Sequence, residues 1–422
     1  MFYCSHCDAQ SLKWQGRCNE CGKWGTLSED QTQPKQKKQG GRKAPILDLA
    51  KAKKQSLSHT STGVSELDRV LSGGFVPGSV TLLSGEPGIG KSTLIAQVTS
   101  SMAAKQKSFY VSGEESEGQI LMRLERLKID PEKIVFSNSV DVDAIIATAT
   151  SLKPSLLIID SIQTMISEDA GSIPGTPNAV RAATAQLIGF AKSSNISVLL
   201  IGQITKEGSV AGPKTLEHLV DTLLTLEGDK HSPYRILRSA KNRFGTTDEV
   251  GIFEMKEHGM QAVENPSARF LEERQRTPGS VITCIMEGTR LLLVEIQALA
   301  EKSHFANPIR RTSGYDSGRL QMLLAIISKR AGVNVSGFDV YVNVIGGIKV
   351  KETATDLAVC AAIISSVKEI MPKEDTIYVG ELGLGGEVRS VPFLDRRTKE
   401  ATRLGIQNAI TPKTIKNIKN LT

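Results

Sequence analysis

The sequence predicts an α/β protein of several domains: a parallel α/β core, a cysteine-rich head before it and a second α/β domain after it. Three observations predict this. At 422 residues and 45.6 kDa the chain is about three times a typical ~150-residue domain. From Thr60 to about Ser267, apolar strand-like runs alternate with helical periodicity, the pattern of parallel strands joined by crossover helices. Four of the six cysteines fall within the first 21 residues, and from about Ala268 the texture changes to a further set of strands and helices. With 40% hydrophobic and 23% charged residues the composition is that of a globular protein, which excludes a disordered chain; the length excludes a small disulfide-stapled scaffold. No apolar run approaches the ~18 residues of a membrane span, and Met1-Phe2-Tyr3-Cys4 does not open like a signal peptide. The expected compartment is the cytoplasm, with no membrane partner.

The head occupies residues 1–28. Cys4 and Cys7 are separated by two residues, Cys18 and Cys21 likewise, and ten residues lie between the pairs. A two-residue spacer lets two thiolates turn onto one tetrahedral ion, so Cys4, Cys7, Cys18 and Cys21 are expected to hold Zn2+. Four protein ligands leave no open position, which makes the role structural. Two disulfides are the competing reading, disfavoured in a reducing cytosol. His6 is a rival ligand that a complete thiolate set makes unnecessary. Gly22 suits the tight turn of a knuckle, and Trp14 and Trp24 are expected to cover a head too small to make its own core. Cys284 and Cys360 stand alone in apolar stretches and are read as ordinary buried residues.

Residues 29–58 read as a basic linker. Between Gln31 and Ser58 stand Lys35, Lys37, Lys38, Arg42, Lys43, Lys51, Lys53 and Lys54 against Asp48 alone, so this segment accounts for the whole net charge of +7. It is either a solvated tether or a polyanion-binding strap.

The core, residues 59–267, carries the most specific motif. Val80-Thr81-Leu82-Leu83-Ser84 reads as a strand running into Gly85-Glu86-Pro87-Gly88-Ile89-Gly90-Lys91-Ser92-Thr93, and Leu94 to Val98 reads as a helix. This is G-x4-G-K-S in its strand-loop-helix context, a phosphate-binding loop for ATP. Its glycines let backbone amides wrap the phosphates, Lys91 reaches the outer phosphates, and the Ser92 hydroxyl is a ligand for Mg2+.

Hydrolysis also requires an acid for the metal shell and a group that activates water, both at the carboxyl edge of the sheet. Ser155-Leu156-Leu157-Ile158-Ile159-Asp160 is an apolar strand ending in a carboxylate, which assigns Asp160 to Mg2+. Ser108 to Gly113 is another strand, delivering Glu114 and Glu115 just past its end. Glu114 is the favoured base and Glu115 the alternative; at least one is expected only to cap the helix read from Gln119 to Leu127. A further strand, Ile196 to Gly202, presents Gln203, an amide suited to sensing the terminal phosphate.

Taken together, Thr62-Gly63-Val64-Ser65-Glu66-Leu67-Asp68-Arg69, Ser72-Gly73-Gly74, the phosphate loop, Ile158 to Thr164 and Gly202 to Gly208 resemble the RecA-type ATPases. With the cysteine head and Lys241-Asn242-Arg243-Phe244-Gly245, the chain resembles the bacterial RadA (Sms) family over nearly its whole length. The resemblance implies an ATP hydrolase of DNA repair, helicase-like and DNA-dependent, that assembles as a homo-hexamer on single-stranded and branched DNA and promotes branch migration of recombination intermediates. A recombinase is an implied candidate partner. One residue departs from the pattern: Gln203 stands where the family more often has histidine.

In such rings the nucleotide lies between subunits, and a neighbour's cation can neutralise charge on the transferred phosphoryl group. Lys241 fits that role, on what reads as an exposed turn after a strand from Tyr234 to Leu237 and ended by Gly245; Arg243 is the candidate to face DNA. The Gly- and Pro-rich stretches Asp169 to Asn178 and Thr205 to Thr215 are candidate channel loops, with Lys206 and Lys214 as phosphate contacts.

Residues 268–422 form the second α/β domain, with strands in Thr283 to Gln297 and a helix from Leu320 to Ile327. Val340 to Gly347 and Tyr378 to Val388 resemble the proteolytic domain of Lon, which uses a serine activated by a lysine. Here Ala354 falls at the nucleophile and Asp395 at the base, so a proteolytically inactive scaffold is expected; a one-residue slip would bring Thr353 or Thr355 to the nucleophile instead. Lys349, Lys351, Arg396, Arg397 and Lys399 are its candidate DNA contacts. The competing functions are an ATP-dependent peptidase or unfoldase of Lon type and a nucleotide-switched binder with little turnover.

Overall fold

A computed structural model of the chain describes residues 2–7, 9–11, 13–29, 58–103, 107–167, 174–203, 216–228, 232–272 and 274–421. Residues 30–57 of the basic linker, residues 169–173 of the first candidate channel loop and all of the second, with Lys206 and Lys214, lie outside the described residues.

The head is a three-stranded antiparallel sheet in which β1 (Phe2–Cys4) lies between β2 (Gln10–Ser11) and β3 (Leu27–Glu29). Cys4, Cys18 and Leu27 are buried, with Phe2 and Ala9 packed against them. The expected aromatic cover is corrected: Trp14 is 63% and Trp24 76% exposed. Four cysteines converging on one point already fix so small a fold, and the rings are left on its surface.

In the core the strand-to-helix alternation is realised as follows. After α1 (Ser65–Val70) come β4 (Val80–Gly85), α2 (Lys91–Ala103), β5 (Ser108–Ser112), α3 (Glu117–Arg126), β6 (Val135–Ser137), α4 (Val142–Leu152) and β7 (Leu156–Asp160). Then follow α5 (Pro177–Ser194), β8 (Ser197–Gln203), β9 (Thr222–Glu227), β10 (Tyr234–Asn242), β11 (Val250–Lys256) and β12 (Gly259–Ala262). These strands make one sheet in the order β12-β11-β10-β9-β4-β8-β7-β5-β6. From β9 to β6 all pairings are parallel, while β10 to β12 extend the sheet as antiparallel hairpins, because their short connections cannot carry a crossover.

Three of the core helices start where the sequence supplies a cap. Ser116 and Gln119 form a reciprocal capping box on α3, Asp141 caps α4, and Thr176 caps α5 with Pro177 in its first turn. One sheet face buries Leu67, Leu94, Ile95 and Leu124 from α1, α2 and α3; the other buries Ile145 and Leu187 from α4 and α5. The strands between them, such as Leu156 to Asp160, are buried along their whole length, as a sheet covered on both faces requires.

The carboxyl-terminal unit begins with α6 (Pro266–Leu271), which packs on β14 (Arg290–Lys302). Its six-stranded sheet also contains β13 (Ser280–Glu287), β15 (Arg310–Ser313), β16 (Phe338–Val344), β17 (Thr376–Tyr378) and β20 (Asn408–Ile410), ordered β15-β16-β14-β13-β17-β20. The first residues of α7 (Ser317–Ile326) lie three before the expected start, and α8 (Asp356–Lys368) is buried along most of its length. A short hairpin of β18 (Glu381–Leu382) and β19 (Val388–Arg389) precedes α9 (Leu394–Arg403). The two large units are packed together: Tyr234 meets Phe270 edge-on at 4.8 Å, Arg238 pairs with Glu287 at 2.7 Å, and buried Glu66 pairs with Arg290 while accepting from the Ile252 amide.

Candidate nucleotide site and thiolate centre

The phosphate loop leaves β4 at the carboxyl edge of the sheet. Gly88 and Gly90 have φ of +78° and +112°, values that an L side chain rarely adopts, and so let the chain curl and deliver Lys91 at the first turn of α2. Lys91 Nζ donates to the carbonyls of Gly85 at 2.9 Å and Glu86 at 3.0 Å, which holds the ammonium inside the curve. Burial pushes its pKa below the ordinary value, against the opposing pull of the Asp160 and Glu114 carboxylates.

Those carboxylates arrive from neighbouring strands. Asp160, at the end of β7, is nearly fully buried, and its Oδ2 accepts from the Tyr110 hydroxyl at 2.6 Å. Burial, and then the Asp160 charge, hold the Tyr110 phenol well above its ordinary pKa. Glu114 lies past the end of β5; it accepts from the Ser161 hydroxyl, and the Gln203 amide donates to both of its oxygens at 3.0 Å. Glu115 is turned away into an ion pair with Arg123 of α3. Neither acid caps that helix, since Ser116 does. Lys91, Glu114, Asp160 and Gln203 therefore meet at one edge, whereas Tyr110, Ser161 and Arg123 went unnoticed in the sequence. A signal existed for Tyr110: it shares its face with Ile158 and Asp160, because β5 and β7 pair in register Tyr110↔Ile158.

Lys241 lies elsewhere. It is within β10, which runs to Asn242 with a register shift between Ser239 and Lys241, so the expected turn is corrected to the segment after Asn242. Lys241 pairs with Leu223, and Leu223 with Leu82, which is at the amino half of β4 and about 10 Å along the strand from Gly85. Its Nζ donates to the carbonyls of Glu217 at 2.8 Å and His218 at 3.4 Å. Arg243 lies 3.4 Å from Asp221, whose other oxygen accepts from the Val80 amide, tying the motif to the start of β4. Gly245 is a glycine because a Cβ there would collide with Ser72.

A cavity of about 700 Å3 opens where the phosphate loop faces the carboxyl-terminal unit, with Glu86, Glu227 and Arg238 on one side and Lys349 and Lys351 on the other. In that unit Ala354 is buried at the start of the segment leading into α8, and Asp395 is exposed on α9, paired with Lys413 at 2.6 Å. Ala354 offers no nucleophile and Asp395 no amine. Thr355 is buried with its hydroxyl donating to the Glu352 carbonyl at 3.1 Å. Arg397 is corrected as a DNA contact: it is 1% exposed, gripping Glu352 at 2.6 and 2.8 Å and the Cys284 carbonyl at 2.6 Å. Asp356, fully buried, accepts from Tyr315 at 3.0 Å and the Leu382 amide at 3.1 Å and pairs with Arg319. Cys284 and Cys360 are fully buried, and burial pushes the Cys284 thiol up to about 12.

In the head, the sulfur atoms of Cys4, Cys7, Cys18 and Cys21 all lie within 4.8 Å of one another, with Cys4–Cys21 and Cys7–Cys18 both at 3.6 Å. Tetrahedral Zn–S bonds of ~2.3 Å put sulfurs roughly 3.8 Å apart, so the donor set fits zinc, and these separations are far too long for disulfides. His6 is not in the group; its ring nitrogen lies 3.4 Å from Lys23 Nζ.

Comparison with known proteins follows the same division. Residues 2–29 match a rubredoxin metal binding domain, residues 60–154 the ATPase KaiC, and residues 321–415 subunit ChlI of Mg-chelatase. The chain is 44% identical to the DNA repair protein RadA of Pseudomonas aeruginosa, over 98% of this chain and 92% of that protein. It is 44% identical to the protein of that name from Aquifex aeolicus, over 98% and 93%, and 42% identical to that of Bacillus subtilis, over 97% and 92%.

Proposed function

Because the chain belongs to the RadA family of DNA repair proteins, with an ATPase domain of RecA-like fold and a four-cysteine zinc site, we propose that it is a DNA-dependent ATPase of recombinational repair. In this reading it is a cytoplasmic, helicase-like motor, a homo-hexamer on single-stranded DNA that promotes branch migration of recombination intermediates, with branched DNA and a recombinase as partners. The observation that carries the reading is the placement of two half-sites on one sheet. Lys91, Asp160, Glu114 and Gln203 stand at the carboxyl edge and Lys241 toward the other. A cation that cannot reach its own phosphate loop completes the loop of the next subunit, and repetition of that contact closes a ring.

The amides from Gly85 to Thr93 wrap the phosphates and Lys91 binds the outer ones. Ser92 and Asp160 would hold Mg2+, which neutralises phosphate charge when bound. Glu114 orients and deprotonates the attacking water. Gln203 bonds to Glu114 on one side and leads into residues 204–215 on the other, so it can report the terminal phosphate to that segment. Lys241 of the neighbour stabilises the charge on the transferred group. Arg243, Lys206, Lys214, Lys349, Lys351, Arg396 and Lys399 are the DNA contacts, and the linker cations add to them. No observation favours a peptidase, since neither Ala354 nor Asp395 carries the chemistry.

The test is the ATPase rate with and without single-stranded DNA, with casein as the control for an unfoldase. DNA should accelerate turnover and casein should not, and Lys91→Ala should abolish it. Lys241→Ala should still bind ATP but lose turnover by roughly 10³ or more. Mixing Lys241→Ala with Lys91→Ala subunits should restore part of the activity, because some interfaces then pair an intact loop with an intact lysine. Turnover unaffected by DNA would favour the switch reading instead, and loss of ATP affinity in Lys241→Ala would assign that lysine to its own site.

A further inference from the structure

We propose that Tyr110 is a positioning residue for ATP hydrolysis: its hydroxyl fixes the Asp160 carboxylate, committing Oδ2 to the protein and leaving Oδ1 to the Mg2+ shell. The inference rests on the reading of Asp160 as the residue that holds Mg2+.

Tyr110 is in the middle of β5 and its ring is part of the core, stacked against Phe136 at 6.1 Å between centroids. A phenylalanine would fill that space equally well, so the hydroxyl requires its own account. A buried hydroxyl costs free energy unless it is hydrogen-bonded. Among the described residues its one hydrogen bond is the 2.6 Å donation to Asp160 Oδ2, two residues along β7 from its register partner Ile158 toward the carboxyl edge. From the other side, Asp160 is buried, and among the described residues no other hydrogen bond reaches its carboxylate. Lys91, though close enough to feel its charge, donates to Gly85 and Glu86 instead. A carboxylate held by one donor on one oxygen loses its two-fold rotational freedom. An ordered Oδ1 is what an octahedral Mg2+ shell, which tolerates little distortion, demands of its carboxylate.

The hydroxyl can be removed without removing the ring. In Tyr110→Phe of the full-length chain, affinity for a fluorescent ADP analogue in EDTA should equal that of the parent, since the phosphate loop is intact. The Mg2+ concentration that half-saturates nucleotide tightening, and that for turnover, should both rise about tenfold, a shift excess Mg2+ partly overcomes. Phe136→Leu, which loosens the same packing but keeps the hydroxyl, should lower the melting temperature and leave both Mg2+ titrations in place. Superimposable Mg2+ titrations for Tyr110→Phe and the parent would overturn the proposal, as would equal loss of EDTA-state affinity in Tyr110→Phe and Phe136→Leu, which would mark the tyrosine as packing alone. A parent chain whose nucleotide binding ignores Mg2+ would instead refute the assignment of Asp160, an outcome visible before any variant is made.

Discussion

At Glu114 one carboxylate accepts from two side chains, Ser161 and Gln203, whereas its neighbour Glu115 is committed to Arg123. That asymmetry separates two acids the sequence leaves in competition. Glu114→Gln should bind ATP normally and hydrolyse it about 10² to 10⁴ times more slowly, the range lost with a general base, while Glu115→Gln should turn over within a few-fold of the parent. Single-turnover hydrolysis with radiolabelled ATP reads both, and the reverse ranking would transfer the role to Glu115. Lys91 and Asp160 were legible in the sequence because a glycine-rich loop and an apolar run ending in an acid are local patterns. The Gln203–Glu114 and Tyr110–Asp160 bonds were not, because each joins residues 50 or more apart whose meeting depends on which strands are neighbours in the sheet.

Among the elements, the head and the carboxyl-terminal unit are held by different means. The head has almost no apolar core, so metal binding and folding should be one event. Purified protein should carry about one zinc per chain, and Cys18→Ala should release it while the Mg2+-ATP affinity of the core is retained; elemental analysis finding no zinc in the parent would refute the centre. The carboxyl-terminal unit instead buries ion pairs, Arg397 with Glu352 and Arg319 with Asp356. Glu352→Ala would leave the Arg397 guanidinium buried with only carbonyl partners, a change of the kind that costs about 3 to 5 kcal/mol. Urea unfolding followed in that unit should show its midpoint falling accordingly, and an unmoved midpoint would mean that Arg397 finds water or another acceptor. Spacing revealed the four thiolates, and local patterns revealed the central strands β4, β5, β7 and β8 and the helices α2, α3 and α7. They misjudged Trp14, Trp24, Arg397 and the end of β10, since composition tells what a side chain prefers but not which neighbour has already taken its place.

For the whole molecule, one sheet carries a phosphate loop at its carboxyl edge and a lysine-bearing strand whose Nζ is held near the opposite end. Neither half hydrolyses ATP alone in this account, and coupling to DNA follows from Gln203, which touches the base and continues into the segment expected to line the channel. That the core strands pair in parallel was implied by their alternation with helices, but the place of Lys241 on β10, level with the amino half of β4, needed the antiparallel extension of the sheet, which no local pattern announces. The most direct measurement is a particle image of Glu114→Gln with ATP, Mg2+ and single-stranded DNA. The account predicts a closed ring of six subunits around the strand, with each Lys241 Nζ about 3 Å from the terminal phosphate held by the adjacent subunit. Nucleotides contacted only by residues of their own subunit, or DNA bound outside an open or absent ring, would contradict it.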